Sequence, residues 1–156
     1  MIIITTSDDY FLEHIHLLAA KNPDFNYLVI APGTKFSVFK RLKNVNLITA
    51  LGFLDFQKHR RYFEKAVGFV PHKNKSFPTS LNLFVENLIP VVSTVDNLSA
   101  QVIKLNKLGS TIESIESLTE EVSFIQKNYT FFQENCQMYK STLTWDEGSE
   151  MLKNSL

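Results

Sequence analysis

The strongest constraint on this chain is a series of short apolar, β-branched runs, each followed by a segment of helical periodicity. Residues 1–5 (MIIIT), 25–31 (FNYLVIA) and 45–49 (VNLIT) are the first three runs. Residues 67–70 (VGFV) and 90–93 (PVVS) follow, and 108–112 (LGSTI) is a weaker sixth. A run without polar alternation is what a strand buried on both faces requires. Between the runs, Phe11, Ile15, Leu18 and Ala19 fall at helical spacing after possible caps at Thr6, Ser7, Asp8 and Asp9. Asn22, Pro23 and Asp24 end that helix near Lys21. Phe36, Phe39 and Leu42 mark a second helix; Phe56, Phe63 and Ala66 mark a third, with Asp55 as its cap. Leu81, Phe84, Val85 and Leu88 line one face of a fourth, and Leu98, Val102, Ile103 and Leu105 line a fifth, capped by Asp96. From Leu118 onward the pattern is helical throughout, through Val122, Ile125, Phe131, Phe132 and Tyr139 to a last segment at Trp145 and Leu152. Strands alternating with helices predict an α/β fold: a parallel sheet of about six strands, helices on both faces and a helical carboxyl-terminal tail.

Bulk properties narrow the field. A chain of 156 residues predicts one domain over residues 1–156, able to bury its own core. Lys plus Arg and Asp plus Glu stand at 16 each, so no strong field recruits nucleic acid or anionic membrane. The basic run Lys58, His59, Arg60 and Arg61 reads as the solvated face of a helix. One cysteine, Cys136, excludes an internal disulfide and a cysteine-based metal site; its helical setting predicts a half-buried structural thiol. The start Met1-Ile2-Ile3-Ile4 is not a signal peptide, and no apolar run has membrane-spanning length, so the chain reads as cytoplasmic with no integral membrane segment.

Common catalytic signatures do not occur. No Gly-x-Gly-x-x-Gly follows the first strand, and neither a Walker A loop nor a Gly-x-Ser-x-Gly elbow is present. His14 and His16 are two apart on a helix, so they face different directions and do not share a metal. Asp8 and Asp9 fit helix-start roles better than a pair of catalytic acids. His72 alone lies in a loop at the expected ligand edge of the sheet, where an ordinary loop residue is an equal reading.

Residues 44–48 with Gly52, then 66–73, 78–81, 89–94, 107–110 and 143–147, taken in that order, resemble the carboxyl-terminal, nucleotide-sugar-binding half of GT-B glycosyltransferases. Residues 44–48 followed by Gly52 resemble the family's strand and glycine turn. Residues 66–73, AVGFVPHK, resemble the strand ending in proline that leads to the donor loop. Pro78, Thr79, Ser80 and Leu81 open the next helix, and Ile89 to Thr94 match the Pro-Val-Val strand. Lys107 to Ser110 resemble the following glycine-containing strand, and Leu143 to Glu147 the tryptophan segment of the last helix. The resemblance implies a Rossmann-like domain that binds a nucleotide-sugar donor without a metal or other cofactor. It also implies an amino-terminal acceptor domain, or a partner chain, to complete a two-domain enzyme. A helix starting at residues 76–79 would aim the backbone N–H groups of Ser80, Leu81 and Asn82 at a diphosphate. Thr5, Thr6 and Ser7 would donate hydroxyl bonds at the same edge, and Lys73 or Lys75 would neutralise phosphate charge. With Gly52, His72, Thr79 and Glu86 these residues make up the expected donor site; no general base is recognisable.

The departures from the family pattern define an alternative. Leu83 stands where the family places the acid that holds the ribose hydroxyls, and Ser80 where some members place a base. Glu86 is the nearest carboxylate, one turn further along, at a position that suits solvent. Losing a buried hydroxyl acceptor weakens binding by about 1–3 kcal/mol. The alternative is therefore a non-catalytic partner or chaperone-like subunit of a glycosyltransferase. Its aromatic-rich carboxyl-terminal part (Tyr129, Phe131, Phe132, Tyr139, Trp145) either seeks a partner or packs on the sheet.

Overall fold

The computed structural model of the chain describes residues 1–5, 9–30, 42–48, 63–71, 79–96 and 98–143. Six parallel strands form one sheet: β1 (Ile2–Thr5), β2 (Tyr27–Ile30), β3 (Val45–Ile48), β4 (Val67–Val70), β5 (Val91–Thr94) and β6 (Gly109–Ile112). Their order across the sheet is β3-β2-β1-β4-β5-β6. Among the described residues the α-helices are α1 (Asp9–Lys21), α2 (Thr79–Glu86), α3 (Leu98–Leu105), α4 (Leu118–Lys127) and α5 (Tyr129–Thr142). All six apolar runs thus become strands, and the fold is Rossmann-like as expected. The expected helix through Phe36 and Phe39 to Leu42 lies outside the described residues except for Leu42, as do residues 55–62 of the next helix, with Lys58 to Arg61, and the segment from Trp145. That next helix is expected to run to about Lys65; the described residues Phe63 to Lys65 form a short turn, Lys65 with φ 51°, ahead of Ala66 and β4.

The strand interior alternates between two cores. Ile2 and Ile4, Tyr27 and Val29, and Val67 and Phe69 face α1 and α4, meeting Leu12, Ile15, Leu118, Val122 and Ile125. Ile3, Leu28, Val70 and Val91 face the other way, toward Leu81, Phe84 and Val85 of α2 and Ile103 of α3. Period-two side-chain direction divides each continuous apolar run between the two faces.

Helix α5 ties the faces together along the amino-terminal edge of the sheet. Phe132 belongs to the α1/α4 core; Cys136 and Tyr139 belong to the α2/α3 side. Tyr129 donates its hydroxyl to the carbonyl of Ala66, just before β4, at 3.1 Å. Lys140 Nζ donates to the Glu86 carbonyl at the end of α2 at 2.8 Å. The aromatic-rich segment therefore divides: Phe132 is buried, Tyr129 and Tyr139 are half-buried, and Phe131 stays exposed.

Several boundaries differ from the sequence reading for identifiable reasons. Pro90 precedes β5 instead of opening it, although its carbonyl accepts from Gly68 N at 2.9 Å. Leu88, expected on the helix face, lies beyond α2 with φ 57°. There Ile89 N donates to Phe84 O at 2.9 Å and Leu88 N to Val85 O at 2.9 Å, a Schellman closure. Helix α3 ends the same way around Lys107, φ 51°, with Leu108 N on Ile103 O at 3.0 Å. Helix α3 begins at Leu98, so Asp96 stands one residue too early to be its immediate cap. The helical stretch after Leu118 breaks at Asn128, whose φ of −112° and ψ of 27° leave the helical region and whose Nδ2 bonds the Phe124 carbonyl at 2.9 Å. Asparagine offers the backbone this local alternative.

The left-handed Lys107 gives a direct stability test. A side chain in that conformation is disfavoured, and Lys107 is exposed. Lys107→Gly is expected to raise the unfolding free energy by about 0.5–1 kcal/mol, measured by urea denaturation. A decrease would mean that the ammonium contributes more than the backbone conformation costs.

Candidate functional site

The strand order points to the edge where a candidate site is to be sought. In an open parallel sheet the crevice lies outside the carboxyl ends of the strands, where the order reverses. Here that point is between β1 and β4, paired through Ile4 and Phe69. The chain leaves β1 at Thr5 toward α1, and leaves β4 at Val70, through the buried Pro71, toward α2. The opposite edge is occupied by α5, as described above.

Two features lie at the carboxyl edge. Thr5 is half-buried, and its Oγ1 is buried with no hydrogen-bond partner among the described residues. An unpaired buried hydroxyl costs free energy unless something bonds to it. The second is the start of α2 at Thr79, the last of the expected positions. Its first turn contains no acid, so no carboxylate of that turn offsets the positive end of the helix. The N–H groups of Thr79, Ser80, Leu81 and Asn82 are the four that an α-helix leaves without intrahelical acceptors.

The remaining expected residues separate into three groups. Ser80 is half-buried in the first turn of α2, and Asn82 in the same turn is exposed. Glu86 is exposed at the opposite end of α2, where its carbonyl receives Lys140. Leu83 is half-buried and packs against the α2/α3 core, with its carbonyl accepting from Asn87 Nδ2 at 2.8 Å. Thr6, Ser7, Gly52, His72 and Lys73 lie outside the described residues, as do Lys75 and the side chain of Thr79.

One residue at this edge escaped the sequence reading. Ser99, in the first turn of α3 after β5, is fully buried, and its Oγ has no partner among the described residues. A serine in the first turn of a helix that follows a buried strand is the available signal, but capping explains most such serines.

Other candidate chemistry is quiet. Cys136 is fully buried, not half-buried; its Sγ meets the Leu108 carbonyl at 3.9 Å, and burial pushes the thiol up to about 12. Such a thiol is protonated at neutral pH and is no nucleophile. His14 and His16 are both half-buried on α1. Among the described residues no group of three His, Cys, Asp or Glu side chains is placed to hold a metal, and no helix is long and apolar enough to cross a membrane.

No protein-family model and no curated protein matches this chain. Among solved structures it is similar to WaaG, a glycosyltransferase involved in lipopolysaccharide biosynthesis, with a TM-score of 0.66 and 18% identity. The match covers 90% of this chain and 42% of the other, so the chain spans less than half of that structure. The likeness is one of fold: the six-stranded sheet and its helices form a Rossmann-type fold like that of the matching part of that structure.

Proposed function

We propose that the chain is the nucleotide-sugar-binding part of a glycosyltransferase. The observation that carries this reading is that β1 and β4 end side by side at the switch point, one with a Thr5 hydroxyl that has no partner among the described residues, the other leading to the start of α2. The diphosphate of a nucleotide sugar would sit at that helix start. The N–H groups of Ser80, Leu81 and Asn82 would then stabilise the charge that develops on the leaving group, with no metal needed for that role. Thr5 would donate to a phosphate or sugar oxygen. Thr6, Ser7 and Lys73 are assigned by sequence to the same edge, together with Gly52 and His72. The acceptor and the general base would come from an amino-terminal domain or a partner chain.

A thermal-shift series with UDP, GDP and their sugar conjugates tests this. Ligand at a hundredfold excess over its Kd adds about 2.7 kcal/mol, which raises Tm by several degrees. Thr5→Val should abolish the shift while leaving the unliganded protein at least as stable, because it removes an unpaired hydroxyl. No shift with any nucleotide at millimolar concentration would count against the reading.

Leu83 favours a second reading. Where the family pattern has a ribose-binding acid, this chain has the half-buried Leu83 packed against the α2/α3 core, and Glu86 is exposed. A domain with that helix is suited to be a non-catalytic partner of a glycosyltransferase. Absence of any nucleotide shift, with stable association to an active glycosyltransferase in gel filtration, would support it.

A further inference from the structure

Strand β6 ends the sheet on one side, and among the described residues it pairs with β5 alone. Two hydrogen bonds show which way its backbone faces. Val91 N donates to Leu108 O and Val95 N to Ile112 O, each at 3.0 Å. Along a strand the N–H and C=O groups of successive residues turn to alternate sides. Leu108, Ser110 and Ile112 therefore turn theirs to β5. Gly109 and Thr111, both half-buried, turn theirs the other way, along the margin of the sheet. A strand edge of this kind is a template for a further strand, and edges are commonly blunted by proline or by a charge within the strand. Between Lys107 and Glu113 there is neither.

The charges flanking β6 differ in sign at its two ends. Lys104 and Lys107 are exposed before it, and Glu113 and Glu116 are exposed after it. Counted outward from Ser110, residues 107–113 (KLGSTIE) match in pairs: glycine with threonine, leucine with isoleucine, then lysine with glutamate. Such a segment is complementary to a second copy of itself running antiparallel. A two-fold axis at Ser110 sets Lys107 of each copy opposite Glu113 of the other. The same register sets the outward-turned Gly109 opposite the outward-turned Thr111, as a hydrogen-bonded antiparallel pair requires. Charge order and backbone direction are separate properties of the strand, and both select this register.

We propose that β6 is a homodimer interface, through which two copies of this chain join their sheets edge to edge in antiparallel register centred on Ser110. Gly109 N–H donates to the Thr111 carbonyl of the other copy, and Thr111 N–H to its Gly109 carbonyl; the two-fold axis repeats both bonds. Lys107 and Glu113 form an ion pair at each end, which rejects a parallel or displaced pairing by setting like charges together. The interface is two strands from β4, so it leaves the β1/β4 switch point free in both copies.

Sedimentation equilibrium of the full chain tests the proposal. The apparent mass should rise from one chain toward two between about 1 μM and about 1 mM, the range of a small interface. Lys107→Glu and Glu113→Lys each set like charges opposite one another at both ends, and each should weaken dimerisation at least about tenfold. The double variant restores both pairs with their signs exchanged, and should return the dissociation constant to within about threefold of the parent value. Thr111→Pro removes a donor that β5 does not use and should leave a folded monomer. If that variant does not fold, the charge series decides alone, because recovery in the double variant requires a folded chain. A mass of one chain at every concentration overturns the proposal. So does a dimer that tolerates the single reversals, one that the double reversal fails to restore, or a folded Thr111→Pro variant that dimerises as tightly as the parent.

Discussion

Gly109→Ala is expected to cost about 3–5 kcal/mol of unfolding free energy, combining backbone strain with overpacking. A Cβ built at Gly109 falls on the Val91 carbonyl oxygen, inside any van der Waals separation, and only 2.7 Å from the carbonyl carbon. The obstruction is backbone in a paired strand, not the end of a side chain that can swing aside. Gly109 has φ 159° and sits directly opposite Val91 in the β5–β6 register. Its neighbour Leu108 accepts from Val91 N at 3.0 Å, so the strands cannot separate locally without losing that bond as well. Guanidinium denaturation of the variant checks the figure. A loss below about 1 kcal/mol would mean that β6 shifts to accommodate the methyl group.

Phe84→Ala should be comparably severe, about 3–5 kcal/mol. Phe84 is fully buried, and its ring lies over Gly68 of β4 so closely that a Cβ there would come 2.5 Å from the ring. Gly68 lets α2 approach the sheet, and Phe84 fills the space so made. The two positions are therefore coupled. Gly68→Ala alone should cost about 1–3 kcal/mol through overpacking, but much less in the Phe84→Ala background, where the methyl group enters the vacated space. A double-mutant cycle by urea denaturation measures the difference, and strictly additive losses would refute the coupling. The same contact holds the helix whose start forms one side of the candidate nucleotide edge. A loosened α2 should therefore also diminish any nucleotide-induced rise in Tm, even where the variant remains folded.

The strands were legible because each is buried on both faces and so carries an unbroken apolar run. The fourth, Val67–Val70, was read at its observed limits, between a helix end and a proline. Helix ends were less legible. Leu88 and Lys107 take a conformation usually left to glycine, so neither residue type announces the turn it makes. The break at Asn128 was hidden because Tyr129 and Phe131 continue the apolar pattern across it. Of the candidate site, the helix start near residue 79 could be read from the motif. That Thr5 has no partner among the described residues could not, because an orphaned hydroxyl is a property of its three-dimensional neighbours. Ser99 was invisible for the same reason.

The path of α5 has a consequence for how the molecule comes apart. Its residues belong to both cores, and its hydrogen bonds reach the backbone beside β4 and the end of α2. Neither layer of helices can therefore leave the sheet by itself without detaching this helix from the other layer. Local opening is confined to elements that α5 does not bridge, while loss of α5 exposes both cores at once. The two faces of the sheet are in this sense a single cooperative unit.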